Sequence, residues 1–387
     1  MKKIFILSFL LIYNLAFSQD YFAESLNQIL NNNPELKAIQ QEGKSVVYES
    51  LNALLPNDPE LEYKVKENDN YEAGITQKLK FPSYCLLQHK AYNLTKKQQR
   101  LVTDVFVVEL LAETRINLIR LIYLNHQIEV QSNRVKMAAS SNNFLEQKLE
   151  RGEVNRLAVN RSRLHLLHAE NRLAELKEKK ESTKQILNRL NGGQELDFSE
   201  NNYPEISALP GFDDYKVEYF TAHPRIKLVG IKSELSHRKL KLARHQWLPD
   251  FKVGIHTDKS RDPKMHFGIS IPLWKERNRV KKARANFNSQ KYNQRDILTS
   301  SETKLKSLFS KYKILKDQYF AYKETLRGDN TLELLKKSLD AGEISAINYF
   351  QEVEKNFKYQ DKLQELRKDI AILDTQLYNY KLLELWK

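Results

Sequence analysis

The chain has 387 residues, a formal net charge of +14 and charged residues at 29% of its positions. Its mean hydropathy of −0.62 excludes a polytopic helical membrane protein. Eleven glycines and ten prolines are fewer than half of average usage. This scarcity of turn formers favours long helices and argues against sandwiches and Gly-rich nucleotide-binding folds. The single cysteine, Cys85, excludes a disulfide framework and a thiolate zinc site.

The first 18 residues have the pattern of a secretory signal peptide. Lys2 and Lys3 precede an apolar run over 4–17 that is too short to span a bilayer. The predicted cleavage falls between Ser18 and Gln19. An uncleaved membrane anchor is the alternative interpretation of this segment.

Several short motifs occur twice in the chain, in the same order. Asn33-Pro34 recurs as His223-Pro224, and Gly152-Glu153 recurs as Gly342-Glu343, each 190 residues later. Other repeated motifs have offsets of 193 and 194 residues. A spacing that varies by only four residues and is near half the chain length indicates a duplication and excludes a short solenoid repeat. The sequence therefore predicts one repeat over 19–191, a turn-rich linker over 192–211 and a second repeat over 212–387.

Each predicted repeat contains one β-hairpin and two long helices. The hairpins are expected at about 58–81 and 249–274, and the helices at about 84–149, 152–191, 276–340 and 343–386. A helix over 84–149 would be about 100 Å long. Leu366, Ile370, Leu373 and Leu377 follow a heptad spacing in the last helix. This spacing is typical of coiled-coil hairpins.

Apolar and polar residues alternate within both hairpins, so each sheet face has one character. Matching apolar residues across each turn predicts the register. This places Tyr63 opposite Ile75, Val65 opposite Ala73, Phe251 opposite Ile271, Val253 opposite Ile269, Ile255 opposite Phe267 and His256 opposite His266.

The apolar face of the hairpins can either cover a protein core or contact lipid. Strands of nine to eleven residues with aromatic residues near their ends favour contact with lipid. Four strands cannot close a barrel, so further copies of the chain would have to pair with the edge strands.

Taken together and in order, these features resemble the TolC-type outer-membrane efflux proteins. The residues that carry the resemblance are the duplicated helix starts at Asn33 and His223, the segments 248–250 and 267–274, and the two Gly-Glu tips. It covers essentially the whole mature chain.

The resemblance implies a mostly helical homotrimer whose 12-stranded barrel lies in the outer membrane and whose helical tunnel extends into the periplasm. It implies a passive duct for drugs or metal ions that works with a periplasmic adaptor and an inner-membrane pump. The segments 223–286 and 341–344 are most similar to the cation-efflux branch.

The resemblance also assigns roles to residues near the periplasmic ends of the hairpins. The predicted adaptor-docking tips are Arg151, Gly152, Glu153 and Val154, and Ala341, Gly342, Glu343 and Ile344. Some family members carry aspartates six and nine residues after the second tip glycine. Here these positions are Asn348 and Gln351, so the aperture is expected to close through amide hydrogen bonds and packing.

The polar face of the hairpins is expected to line the barrel lumen. Its basic and titratable residues include Lys64, Lys66, Lys252, His256 and His266. Two histidines from each of three chains would gain positive charge in mild acid or hold a transition metal transiently. The alternative is that both histidines simply line a wet, polar lumen.

Other functional classes have little support in the sequence. HExxH, GxSxG and phosphate-loop motifs are absent, so no enzymatic activity and no cofactor are expected. His165 and His168 are spaced i, i+3 on a helix, which fits a solvated face better than a metal site. Basic and acidic residues are interspersed along the predicted helices, which argues against a nucleic-acid partner. A secreted or periplasmic coiled-coil structural protein remains the alternative.

Overall fold

The computed structural model describes residues 22–66, 70–258, 262–271, 278–327 and 330–387. The predicted signal peptide, with Ser18 and Gln19 at its cleavage site, lies outside these residues. Among the helices in the described ranges, none is both long enough and apolar enough to cross a membrane.

The two halves of the chain contain similar elements in the same order. The first half has helices α1 (Ala23–Asn32) and α2 (Pro34–Asn52), strands β1 (Glu60–Lys66) and β2 (Asn70–Leu79), and helices α3 (Pro82–Glu150) and α4 (Arg156–Leu190). The second half has helices α5 (Phe212–Ala222) and α6 (Pro224–His245), strands β3 (Asp250–Thr257) and β4 (Pro263–Ser270), and helices α7 (Arg279–Thr325), α8 (Thr331–Asp340) and α9 (Ala346–Leu377). A 3₁₀ helix, Asn379–Leu385, follows α9.

The second half departs from the predicted helix bounds in two places. The long helix expected over 276–340 is divided, since α7 ends at Thr325 and α8 begins at Thr331. The interval contains Gly328, and glycine is a poor helix former. The last helix, expected to reach residue 386, ends at Leu377.

A polar side chain caps the start of α2 and of α6, immediately before a proline at the first helical position. Asn33 accepts a hydrogen bond from the backbone N–H of Leu36 at 2.8 Å. His223 accepts one through Nδ1 from the backbone N–H of Arg225 at 3.1 Å. Proline fits this position because its missing N–H would have no helical partner.

Two of the apolar clusters among the described residues are large, one centred on α3 and one within the second half. Phe22, Leu26 and Ile29 of the first half bury against the middle of α3, around Leu118 and Ile122. In the second half three of the heptad residues of α9 pack with Tyr215, Leu305 and Tyr312; they are Ile370, Leu373 and Leu377. The predicted heptad seam is therefore a buried seam: Leu366, Ile370, Leu373 and Leu377 are each at most 4% exposed.

The four strands form one antiparallel sheet in the order β1-β2-β3-β4. The predicted register is wrong by two residues in both hairpins. In the first hairpin Tyr63 pairs with Ala73 and Val65 with Tyr71. In the second, Phe251 pairs with Ile269, Val253 with Phe267, Ile255 with Met265 and His256 with Lys264. A shift of two residues keeps each side chain on its face, and apolar residues still meet, so apolar matching could not distinguish the two registers.

The strands are shorter than the predicted nine to eleven residues, except for one. In the described part of the chain, β1 has seven residues, β2 has ten, and β3 and β4 have eight each. Residues 67–69 and 259–261 of the two predicted hairpin turns, and residues 272–277 after β4, lie outside the described residues.

Candidate channel surfaces: the sheet and the hairpin tips

One face of the sheet is apolar and uncovered in the single chain. Its exposed side chains come from all four strands: Leu61, Tyr63, Val65, Ile75, Ile255, Met265, Phe267 and Ile269. They are between 45% and 82% exposed. A contiguous apolar surface of this kind marks contact with a membrane or another protein.

The other face of the sheet is polar and holds the predicted lumen residues. Lys64 forms an ion pair with Glu62 at 3.0 Å, and Lys78 forms one with Glu60. Lys252 lies on the same face, between Lys78 of β2 and Gly268 of β4. The backbone of Lys66 pairs with Asn70, and its side chain lies outside the described part of the structure.

The two histidines are diagonal neighbours on this polar face. His256 lies opposite Lys264 and His266 lies opposite Gly254, so the predicted His256–His266 pairing is wrong. Their ring centroids are nevertheless 5.8 Å apart. The His256 ring lies over Gly74, where an added Cβ would come within 2.2 Å of Nδ1. Gly74 therefore provides the space that this imidazole occupies.

The two Gly-Glu tips share one backbone conformation. Gly152 has φ of +72° and Gly342 has φ of +76°. In both tips the N–H of the following glutamate donates to a carbonyl five residues earlier, at 2.9 Å. This is the helix-ending motif in which glycine occupies a left-handed position. The turns thus end α3 and α8 abruptly and allow the next helix to begin within a few residues.

A capping side chain begins the helix after each tip. Asn155 accepts a hydrogen bond from the N–H of Ala158, and Ser345 accepts one from the N–H of Asn348. The glycine and glutamate of both tips are exposed, as are Arg151 and Ala341, whereas Val154 and Ile344 are partly buried. The exposed surface of each tip therefore consists mainly of backbone and polar groups, next to one partly buried apolar residue, Val154 or Ile344.

Comparison with solved structures identifies proteins with a similar fold. CusC matches with a TM-score of 0.79 and 15% identity over 94% of this chain and 92% of that chain. The outer membrane protein VceC of Vibrio cholerae matches with a TM-score of 0.78, 12% identity and coverage of 92% and 95%. The open state of the Neisseria gonorrhoeae MtrE outer membrane channel matches with a TM-score of 0.64, 14% identity and coverage of 94% and 87%.

The chain has the fold of these outer-membrane channels. The predicted resemblance to TolC-type proteins is thereby confirmed at the level of the fold. No protein-family model matches the sequence, and no curated protein matches it either. The shared fold is consequently recognised from the arrangement of helices and strands, at sequence identities of 12% to 15%.

The predicted aperture residues lie just after the second tip. Asn348 and Gln351 occupy the first two turns of α9, and both are exposed in the single chain. The helix also contacts α4 near this level, since the His165 ring is 5.2 Å from that of Phe350. Burial lowers the pKa of His165. In the described ranges no group of three or more His, Cys, Asp and Glu side chains is arranged to hold a metal ion.

The structure also shows an ion pair that links the two halves of the channel fold and that the sequence analysis did not predict. Arg134 of α3 binds both carboxylate oxygens of Asp361 of α9, each at 2.8 Å. Its guanidinium lies 4.2 Å from the centre of the Phe357 ring, and Arg134 is only 8% exposed. The side chain of Gln131, one turn earlier, donates to the carbonyl of Ala169 on α4. This cluster joins α3, α4 and α9.

Proposed function

We propose that this chain is one subunit of a passive outer-membrane channel that exports small molecules, drugs or metal ions among them, in an efflux system. The observation that carries the proposal is the match in fold to outer-membrane channels over at least nine-tenths of the chain. The matched molecules are channels, which supports a non-enzymatic role. The proposed location is the outer membrane, with the helices extending into the periplasm.

The sheet supports a trimer. In the described residues both β1 and β4 have one unpaired edge, and the apolar face has no covering element. Three chains would contribute twelve strands to one closed barrel and satisfy every edge. The apolar face would then contact lipid, and the polar face with Lys252, His256 and His266 would line the lumen.

The tips support docking of a partner. Gly152 follows the end of the 69-residue helix α3, which begins beside the sheet, so this tip lies on the order of 100 Å from the sheet. The contact between His165 and Phe350 holds the second tip at a similar level, and a periplasmic adaptor could reach the exposed glycines of both. The adaptor would connect the channel to an inner-membrane pump. Asn348 and Gln351, near the second tip, are the proposed aperture residues.

Two matched substitutions on β4 test the membrane assignment. Ile269→Asp would place a charge on the proposed lipid face and should make insertion less favourable by up to about 1 kcal/mol, because Ile269 pairs with Phe251 near the end of the apolar face and the cost of a charge falls toward the interface. Ser270→Asp adds the same charge to the proposed lumen face and should be nearly neutral. Outer-membrane yield and mass in detergent are the measurements. A monomer in detergent, or equal loss of both variants from the membrane, would contradict the proposal.

A further inference from the structure

Three segments of the chain contain basic residues and no acidic ones. They cover 82–103 at the start of α3, 235–246 at the end of α6 and 279–295 at the start of α7. Together they contain 14 lysines and arginines, a number equal to the net charge of the whole chain. The expectation that basic and acidic residues are interspersed is therefore wrong for these segments.

The fold brings these three segments together beside the sheet. Ala91 of α3 packs with Leu235 and Leu242 of α6. The His237 ring of α6 is 5.1 Å from the Phe287 ring of α7. Because α3 begins three residues after β2, and α6 ends five residues before β3, the segments lie at the sheet-proximal ends of their helices. We call this surface the basic belt.

A cleft of about 340 Å³ opens within the basic belt, between the ends of α3, α6 and α7. Its polar lining includes Tyr84, Gln88, Gln246, Lys239, Arg279 and Lys282. No Asp or Glu among the described residues lines it. The cleft thus combines three cationic side chains with amide and hydroxyl groups, a set of donors suited to a phosphate group.

The neighbouring residues have the character of a membrane interface. Trp247 is 47% exposed, and Tyr84 lines the cleft itself. Trp and Tyr concentrate where the hydrocarbon layer meets the headgroups. The apolar sheet face ends here, at Leu79 and Phe251, which pair across β2 and β3. The cleft begins within about two helical turns of this level, or about 10 Å. A headgroup layer is about 5–8 Å thick, and the long side chains of lysine and arginine can reach across the difference.

We propose that the basic belt binds the phosphate groups of anionic phospholipids in the periplasmic leaflet, with one headgroup in the cleft at Lys239, Arg279 and Lys282. This inference rests on the proposed function, because only membrane insertion of the sheet brings the belt to the headgroups. The belt would set the depth of the barrel in the membrane, because each basic residue near an anionic surface adds to the free energy of membrane binding.

Native mass spectrometry of the detergent-purified full chain tests the proposal. Phosphatidylglycerol is titrated against phosphatidylcholine, and adducts are counted on wild type and on the Lys239→Gln, Arg279→Gln, Lys282→Gln variant. We expect wild type to prefer phosphatidylglycerol, and the triple variant to lose that preference by on the order of tenfold. The matched control carries the same charge change on the remote part of α7: Lys306→Gln, Lys313→Gln, Lys323→Gln. It should behave as wild type.

Several outcomes would overturn the proposal. Equal binding of the two lipids by wild type would do so, as would an equal loss in the control variant, which would indicate bulk charge alone. If soluble glycerol phosphate displaces the lipid at equal concentration, the cleft is a site for free phosphate. Raising the salt concentration should weaken the preference of wild type itself, a test that needs no folded variant. Failure of the chain to enter membranes would contradict the proposed function, whereas membrane insertion without lipid preference would contradict the belt alone.

Discussion

The long helices α3 and α7 occupy equivalent places in the two halves but differ in how much of each is buried. The middle of α3 is enclosed by α1, α2, α4, α9 and the 3₁₀ helix, and α6 packs against it nearer the sheet. In α7 only Leu305 and Tyr312 are buried, while Tyr292, Ile314 and Phe320 are 72%, 55% and 47% exposed. Equivalent positions in a duplicated sequence therefore need not have equivalent environments. The exposed apolar residues of α7 support the proposed contact with a second copy.

The largest effect is expected on removing the Arg134–Asp361 ion pair, which joins the two halves. Asp361→Asn would leave the buried guanidinium of Arg134 without a charged partner, so the free energy of unfolding should fall by about 3 kcal/mol. Circular dichroism during thermal unfolding in detergent is the measurement. Adding Arg134→Gln to Asp361→Asn should cost little more, because the two residues act together.

An exposed pair on the same helix provides the control. Lys355 and Glu352 are 2.6 Å apart, with side chains about half exposed. Lys355→Gln should change the free energy of unfolding by no more than about 1 kcal/mol, since surface ion pairs contribute little. Equal effects at Asp361 and Lys355 would show that the halves are not held together by this ion pair.

Sequence patterns predicted the elements of this fold better than the contacts between them. Alternation identified the strands and their faces, and heptad spacing identified the buried seam at Leu366 and Leu373, because these are local patterns. The register was missed because a two-residue shift preserves both alternation and apolar matching. The Arg134–Asp361 pair spans 227 residues, and no local pattern specifies such a partner. The acid-free segments of the basic belt are local and could have been recognised in the sequence, whereas their proximity could not, since they are distant from one another along the chain.

The second test concerns the different caps of α2 and α6. Burial, with a contribution from the positive charge of Arg225, lowers the pKa of His223 from 6.5 to about 4. Between about pH 4 and pH 6.5 the imidazole of His223 is protonated in the unfolded chain and neutral in the folded chain. The contribution of His223 to the free energy of unfolding is therefore fully present above about pH 6.5. It is lost as the pH falls toward 4, by up to about 3 kcal/mol. Protonation would also block Nδ1 as the acceptor that caps α6.

His223→Asn converts the second cap to the type found at Asn33 and should remove this part of the acid sensitivity. The measurement is the difference in melting temperature between wild type and variant from pH 7 to pH 4, in which the titration of other groups cancels. His237→Asn, at an exposed position on the same helix, is the control and should follow wild type. A constant difference between wild type and His223→Asn across this range would contradict the assignment.

The smallest effects are expected at the two tips, where the halves are most alike. An alanine at Gly152 or Gly342 would have room, because nothing lies within 4 Å of the added Cβ, but it would be held at positive φ. The expected cost is about 1–2 kcal/mol at each tip, and it should be equal because the backbone is the same. Gly230 of α6 also has room for a Cβ but no positive φ, so Gly230→Ala should be neutral or stabilising by up to about 1 kcal/mol.

Hydrogen exchange of the tip peptides is the appropriate measurement, because a tip can open while the rest of the chain stays folded. Faster exchange at both tips, with slower or unchanged exchange around Gly230→Ala, is the expected result. Unequal effects at Gly152 and Gly342 would mean that the tips differ in a way their shared backbone does not show. The larger substitutions Gly152→Val and Gly342→Val extend the test to docking. If the double variant transports fully at a normal outer-membrane level, the tips do not bind the adaptor.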